Sequence, residues 1–398
     1  MSFFRTPSPL EFTYIAADLP HYSPLVNQFF LVGEGDIDEE LLHQAMCQAV
    51  QANPGIGLRL RGYWGWRYWD SNAPQPSLGT IDAPDWSGQS SEGAPCLGAP
   101  IDLRREPAFQ VTKIRTRKHI YLLFRTHHAV SDGRGTVHLL NDVFRALRNE
   151  PLVGSASRIT EWDIAMREQR PERTVTEHNC LPVIQGTVNE AMAGCQWYRF
   201  DWHGDKNKFA AKIIYACAQL AWQHFGDGKV FFRIPADLRR YMEPDEGFTV
   251  ANCTGALDME IEPDASLNNI RTQIVRAMRN RTDLSPFQEN HKYVKWLPKA
   301  MFRLHPETLR RMHREKRYRM SGIISYVGDV DINQFAVEGF RPVSQFGVPI
   351  PFENRPLFVG ASTFNNLTHI IVGAPRAACS MAELKAFCGE LSGALDAL

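Results

Sequence analysis

A chain of 398 residues, 44% of them hydrophobic, can bury large cores and would normally divide into two domains or two halves. Its 44 lysines and arginines balance 44 aspartates and glutamates, which excludes the strongly basic footprint that nucleic-acid binding requires. No run of about eighteen apolar residues occurs and the first residues carry no long apolar region after a basic start, so a soluble, unexported, cytoplasmic chain without a membrane span is expected.

Strand and helix signals alternate in two series. Residues 28–32 read as a strand, and 38–52 as a helix with Leu41, Leu42, Ala45, Ala49 and Val50 inward, ending before Pro54 and Gly55. Residues 58–61 and 66–69 suggest a hairpin around Gly62 and Gly65, and 70–99 read as a polar stretch rich in Pro, Gly and Ser. Residues 109–114 are strand-like, and 120–126 are aromatic and aliphatic enough for a partly buried strand. Beyond Gly135, Val137, Leu140, Val143, Phe144 and Leu147 share a helical face, opposite His138, Asn141, Asp142, Arg145 and Arg148.

From about Leu152 to Val188 the pattern dissolves into Pro, Glu, Arg and Thr, which places a linker at 166–188 between halves at 1–165 and 189–398. The second series holds an apolar helix at 209–225, strands at 230–234 and 257–261, a helix at 267–278, and strands around Ile323-Ile324 and at 369–372. In the final helix Ser380 takes the N-cap with Glu383 three residues on, and Met381, Leu384, Phe387, Leu391 and Leu395 face inward. No internal repeat is visible.

The most informative stretch is His127-His128-Ala129-Val130-Ser131-Asp132-Gly133, where the strand ends and the amphipathic helix is about to begin. Neighbouring residues leaving a strand point to opposite sides, so only one of the two histidines can face a reacting atom as general base. The same geometry argues against a metal site, and neither an HExxH nor a CxxC pair occurs. Asp132 reads as a residue that curls back to fix the loop or caps the helix. The eight cysteines show no paired spacing and read as reduced core residues.

HHAVSDG resembles the HHxxxDG signature of the chloramphenicol acetyltransferase-like superfamily, which includes BAHD acyltransferases, polyketide-associated acyltransferases and nonribosomal peptide condensation domains. Other segments support it in order. Pro100-Ile101-Asp102-Leu103 precedes the motif; Ile234-Pro235-Ala236-Asp237-Leu238-Arg239-Arg240, with Ala251, Asn252 and Gly255, is similar to the D-x-R segment and its downstream Gly-Asn; Ile324-Ser325-Tyr326-Val327-Gly328 resembles the later serine-containing strand; and Gln345-Phe346-Gly347-Val348-Pro349 stands at the DFGWG position. Gln345 replaces the family's Asp, Val348 and Pro349 its Trp-Gly, and Ala251 its Gly, departures that weaken a plant-type BAHD assignment.

The resemblance runs from about Pro9 to the last helix and implies an α/β (α+β sandwich) fold, two chloramphenicol acetyltransferase-like halves facing each other across a central solvent tunnel with the histidines at its midpoint. It implies acyl transfer with His128 as general base and His127 in a supporting place. A backbone amide near Gly133 and the Ser325 hydroxyl are candidate oxyanion donors, and no GxSxG nucleophile elbow is present. Asp132 would pair with Arg239, binding the loop to the other half, with Asn252 nearby. No metal and no permanently bound cofactor is implied. The co-substrate would be a thioester, either acyl-CoA or an acylated phosphopantetheine arm on a carrier protein.

Between Arg303 and Arg319 the chain concentrates positive charge, and Arg310, Arg311, Arg314 and Arg317 are candidate contacts to a phosphate-bearing donor, against a plain reading as a solvated helix face. Three functions compete. The first is a stand-alone acyltransferase acting on a hydroxyl or amine of a small molecule, in secondary metabolism. The second is a free-standing condensation-type enzyme joining carrier-bound substrates. The third is a silent carrier-recruitment module, which an intact HHxxxDG argues against.

Overall fold

A computed structural model describes residues 4–18, 22–95, 98–172, 179–302, 304–348, 350 and 352–398. Cys96, one of the eight cysteines, Arg303, Pro349 and residues 173–178 of the expected linker lie outside the described residues.

In chain order the first half comprises β1 (Phe4–Arg5), α1 (Pro9–Ala17), β2 (Val26–Gly35), α2 (Glu39–Ala52), β3 (Arg59–Arg61), β4 (Tyr68–Asp70), β5 (Ser77–Asp82), β6 (Phe109–Arg115), β7 (Ile120–His127), α3 (Gly133–Leu147) and α4 (Glu161–Arg167). The second comprises β8 (Cys195–Trp202), α5 (Phe209–Phe225), β9 (Val230–Asp237), β10 (Thr254–Ile261), α6 (Leu267–Arg279), α7 (Pro306–Glu315), β11 (Gly322–Asp329), β12 (Phe340–Val348), β13 (Phe358–Phe364), β14 (Leu367–Pro375) and α8 (Met381–Asp396). The fold is therefore α/β and two-lobed, each lobe built on one large sheet.

The first sheet runs β12-β2-β7-β6-β5, with β7 at its centre. That position explains why Leu122, Leu123 and Phe124 are buried in succession: one face packs against α2 and α3, and the other meets a second cluster around Phe30, Tyr121 and Phe346. Leu42, Ala45, Met46 and Ala49 of α2 join Leu139, Leu140, Val143 and Phe144 of α3 in the core. Burying each large side chain of this kind stabilises by about 1.5–3 kcal/mol. Leu41, expected inward, is exposed, and Met46 takes the inward place one turn on. Asp142, expected on the polar face of α3, is fully buried and accepts hydrogen bonds from Asn53 Nδ2 (2.7 Å), Val153 N (2.8 Å) and Gly154 N (2.9 Å). It ties the end of α2 to the loop after α3.

The second sheet runs β10-β9-β11-β13-β14-β8 and is covered by α5 and α8. The expected capping box of α8 is present: Ser380 N donates to Glu383 Oε2 at 2.7 Å and Glu383 N to Ser380 Oγ at 3.2 Å. The hairpin forms as read, β3 and β4 pairing Arg59 with Asp70 through Arg61 with Tyr68.

Two features add to the halves expected at 1–165 and 189–398 and the linker expected at 166–188. Residues expected to be irregular from 152 onward include α4, whose Thr160–Asp163 capping box buries Glu161, Ile164 and Ala165. Seven residues are too few to display a helical period. Strand β12, far along the second half, crosses back and pairs antiparallel with β2 from Phe340–Gly35 to Val348–Gln28. Phe346 stacks on Phe30 at 4.6 Å between ring centroids. The first sheet is thus closed by a strand from the second half.

Candidate active site

Strand β7 delivers the two histidines, and hydrogen bonds from His127 N to Ala108 O (3.0 Å) and His128 N to Leu25 O (2.9 Å) fix where it ends. The rings diverge as the strand geometry requires. His127 Nδ1 accepts from Ala129 N at 3.1 Å, so its proton sits on Nε2, 3.3 Å from Asp18 Oδ2. His128 Nδ1 lies 3.1 Å from the Ser131 carbonyl oxygen, which can only accept, so Nδ1 carries the proton and the Nε2 lone pair is free. The Tyr14 ring meets the imidazole edge-on at 4.4 Å. Burial lowers the His128 pKa to about 4, against the opposing pull of the Ser131 carbonyl and the Asp132 carboxylate.

Asp132 performs both roles weighed from sequence. Its Oδ1 accepts Gly135 N at 2.8 Å as the N-cap of α3, and its two oxygens accept Arg239 Nη1 and Nη2, each at 3.0 Å. Cys253 N adds a bond of 2.8 Å to Oδ2. Burial pushes the Asp132 carboxyl up, but Arg239 and the backbone donors outweigh it and hold the group below its ordinary range. Burial likewise works against the charge on Arg239, and Asp132 more than restores it, leaving the guanidinium above its usual range.

Arg239 also donates to Thr249 O (2.7 Å), Ala251 O (2.6 Å) and Asp237 Oδ1 (2.9 Å), filling its fork. Asn252, fully buried, donates from Nδ2 to His128 O at 2.9 Å. Both residues act on the loop from the opposite half. Gly135 is needed for that approach: a Cβ there would stand 2.3 Å from Ser131 Oγ and from Val250 O. Gly133 faces open space instead, and it lines the cavity.

That cavity, about 540 Å³, is walled by both halves, with His128, Gly133 and Tyr14 from the first and Arg239, Ser325 and Gln345 from the second. The amides of Gly133 and Arg134, in the first turn of α3, have no intrahelical acceptor. Ser325 stands on β11 in the wall, partly buried. Gln345 Nε2 donates to Ser362 Oγ at 2.9 Å, and its Oε1 is buried without a partner, as is Oε1 of Gln28. Both glutamines line the cavity.

The arginines proposed as donor contacts do not line it. Arg310, Arg311 and Arg314 stand on α7 and Arg317 just beyond, all exposed; Glu307 bonds Arg310 Nε at 2.9 Å and lies 3.6 Å from Arg314. Among the described residues no group of three His, Cys, Asp or Glu side chains could hold a metal, and no helix is long and apolar enough to cross a membrane.

Sequence reasoning missed Tyr14 and Gln28. Tyr14 had a usable signal, because Ser8-Pro9-Leu10-Glu11 is a capping box with Pro at the first turn and so announces α1; Ser8 N donates to Glu11 Oε2 at 2.8 Å and Glu11 N to Ser8 Oγ at 3.1 Å. Gln28 had none, since a glutamine within a strand reads as an outward-facing residue.

Two α/β lobes thus enclose a histidine-bearing cavity. No protein-family model matches the chain, and no curated protein does. Among solved structures, the condensation domain of the monacolin K polyketide synthase MokA is similar over 99% of this chain and 97% of its own length, with a TM-score of 0.67 at 10% identity. A mutant starter condensation domain of rhizomide synthetase RzmA, in complex with C8-CoA and Leu-SNAC, is similar over 99% and 94%, with a TM-score of 0.68 at 13% identity. The epimerization domain from the third module of tyrocidine synthetase B is similar over 100% and 97%, with a TM-score of 0.60 at 14% identity. Identities this low establish the shared fold.

Proposed function

We propose that this protein transfers an acyl group from a thioester, carried by coenzyme A or by a carrier protein, to a hydroxyl or amine of an acceptor bound in the cavity. The observation that carries this reading is His128, whose Nδ1 is tied to the Ser131 carbonyl while Nε2 stays free on a wall of the 540 Å³ cavity. An alcohol or amine attacks the thioester carbonyl carbon as Nε2 accepts its proton. The tetrahedral oxyanion collapses, the carbon–sulfur bond breaks, and the imidazolium returns the proton to the departing thiolate. The free amides of the first turn of α3 and the Ser325 hydroxyl are the oxyanion donors of this scheme. Asp132, Arg239 and Asn252 are positioning residues that hold the loop from the facing half.

A second reading has a specific observation in its favour. A similar fold was solved with C8-CoA and Leu-SNAC together, so a thioester-borne acceptor fits the same architecture. Condensation between two thioester-linked substrates would use the same His128 chemistry.

Incubation with acyl-CoA mixtures and, separately, with acyl-loaded carrier protein, followed by mass spectrometry, distinguishes the two. His128→Ala is expected to fold and to lose about 10²–10⁴ in rate. Full activity in that variant would overturn the assignment.

A further inference from the structure

The turn between β3 and β4 and the segment 289–302 gather exposed aromatic and apolar side chains on one surface. Tyr63, Trp64, Trp66, Tyr293 and Met301 are each more than half exposed, with Trp296 and Leu297 beside them. The rings touch: Trp66 meets Trp296 edge-on at 5.0 Å, Tyr63 lies 5.8 Å from Trp66, and Trp64 Nε1 donates to Trp296 O at 3.0 Å. Other exposed large apolar side chains, such as Leu41, Val153 and Val275, stand on separate elements. One contiguous aromatic patch of this kind calls for an occupant.

The backbone presents these rings at some cost. Trp64 sits at φ 47°, a left-handed conformation unusual for a bulky residue. Gly65 has no alternative, because a Cβ there would lie 2.3 Å from the Trp296 ring.

Charge selects the occupant. Residues 61–67 and 289–302 hold Arg61, Arg67, Lys292, Lys295 and Lys299 against the single carboxylate of Glu289, within a chain whose net charge is zero. Arg61 has Asp70 at 3.6 Å, whereas Arg67 and the three lysines have no carboxylate within ion-pair distance among the described residues. Lys292 and Lys295 lie over the rings of Tyr293 and Trp296, at 5.2 and 5.6 Å. Arg67 rests on Phe12 with Nε and Nη1 buried and unpartnered. Burial first, and Arg104 next, lower the Arg67 guanidinium; Lys299 is lowered by burial and by both arginines, with Asp18 and Asp102 pulling the other way. Those two carboxylates already face His127 and Arg105, and Glu289 faces Arg170.

We propose that this face docks on an anionic phospholipid surface. Tryptophan and tyrosine rings settle at the headgroup level, lysine stems reach past them to phosphate, and each added basic residue strengthens attraction to an anionic leaflet. The docking segment also reaches the cavity, since His291 and Val294 line its wall while Tyr293 and Trp296 face out.

Flotation of the full chain with vesicles tests this, comparing phosphatidylcholine alone with phosphatidylcholine containing about one-third phosphatidylserine. The chain is expected to float with the anionic vesicles and to release at high salt. Joint replacement Lys292→Gln, Lys295→Gln and Lys299→Gln should weaken binding by about tenfold or more. Trp64→Ser with Trp66→Ser should weaken it too. In the unaltered chain, shallow lipid-borne quenchers should dim tryptophan fluorescence, a readout that does not depend on how variants fold. Failure of the unaltered chain to bind anionic vesicles at low salt overturns the proposal, as does capture of an acidic carrier protein by these residues without vesicle binding. No substrate is present in the assay, so its failure leaves the acyl-transfer reading standing.

Discussion

Arg239 and Asp132 meet in a two-pronged ion pair, with both nitrogen–oxygen distances 3.0 Å, that joins the D-x-R turn of one lobe to the histidine loop of the other. Both side chains are nearly excluded from solvent. Removing either partner would strand a charge that the other was placed to meet. Arg239→Met or Asp132→Asn is expected to destabilise the fold by about 3–5 kcal/mol, read by urea denaturation. Combining Asp132→Asn with Arg239→Met should cost less than the two single losses summed, because the pair is coupled. Additive losses would mean the contact is not formed.

The titration of His128 sets a pH signature. Its pKa of about 4 in the fold lies below the ordinary 6.5, so its base form persists until the medium is strongly acid. The rate of acyl transfer should therefore show no His128 inflection near neutrality and should fall only as pH approaches 4. Stability follows the same group: the unfolded chain binds the extra proton first, so the contribution of neutral His128 is complete above pH 6.5 and is lost as pH falls to about 4, amounting to about 3 kcal/mol. Comparing pH-dependent unfolding of the protein with that of His128→Ala isolates the effect.

Gly133 and Gly135, two residues apart, should respond in opposite ways. Gly135→Ala drives a methyl into the Val250 carbonyl, 2.3 Å from its ideal position, and should cost about 1–3 kcal/mol in thermal or urea unfolding. Gly133→Ala meets nothing within 4 Å and should fold as well as the parent, while narrowing the space before His128. Its effect should appear in KM, with unfolding unchanged.

Gln345 brings a buried, unpartnered amide oxygen to the cavity wall, an arrangement that costs about 1–3 kcal/mol until a donor arrives. An acceptor N–H or O–H is the natural partner. Gln345→Met is expected to raise the acceptor KM about tenfold while changing stability little, because losing the bond to Ser362 Oγ opposes the relief of the unpartnered Oε1. A loss of stability with KM unchanged would show that the residue serves packing.

Local signals made the histidine loop legible, because one short stretch holds the strand end, the turn and the helix start. The helices α5 and α8 were legible for a related reason: both are long and periodic, and α8 has a capping box. What escaped was non-local or diluted. Strand β13 reads Phe-Val-Gly-Ala-Ser-Thr-Phe, and Gly360, Ala361 and Ser362 are small where the cavity opposes them, which erases the bulky alternation that marks a strand. Strand β12 could not be assigned to its sheet, since its partner lies some 310 residues earlier, from Gly35 opposite Phe340 onward. The Asp132–Arg239 contact, 107 residues apart, came through the family resemblance, and composition alone would not have found it.

The return of β12 to the first sheet makes the molecule a buckle. A polypeptide ending before residue 340 would leave the outer edge of β2 with a bare row of amides and carbonyls and Phe30 without its stacking partner. Such an edge recruits whatever strand is nearby. The amino-terminal portion made alone should therefore self-associate, whereas supplying residues 189–398 as a separate polypeptide should rescue it by strand donation in trans.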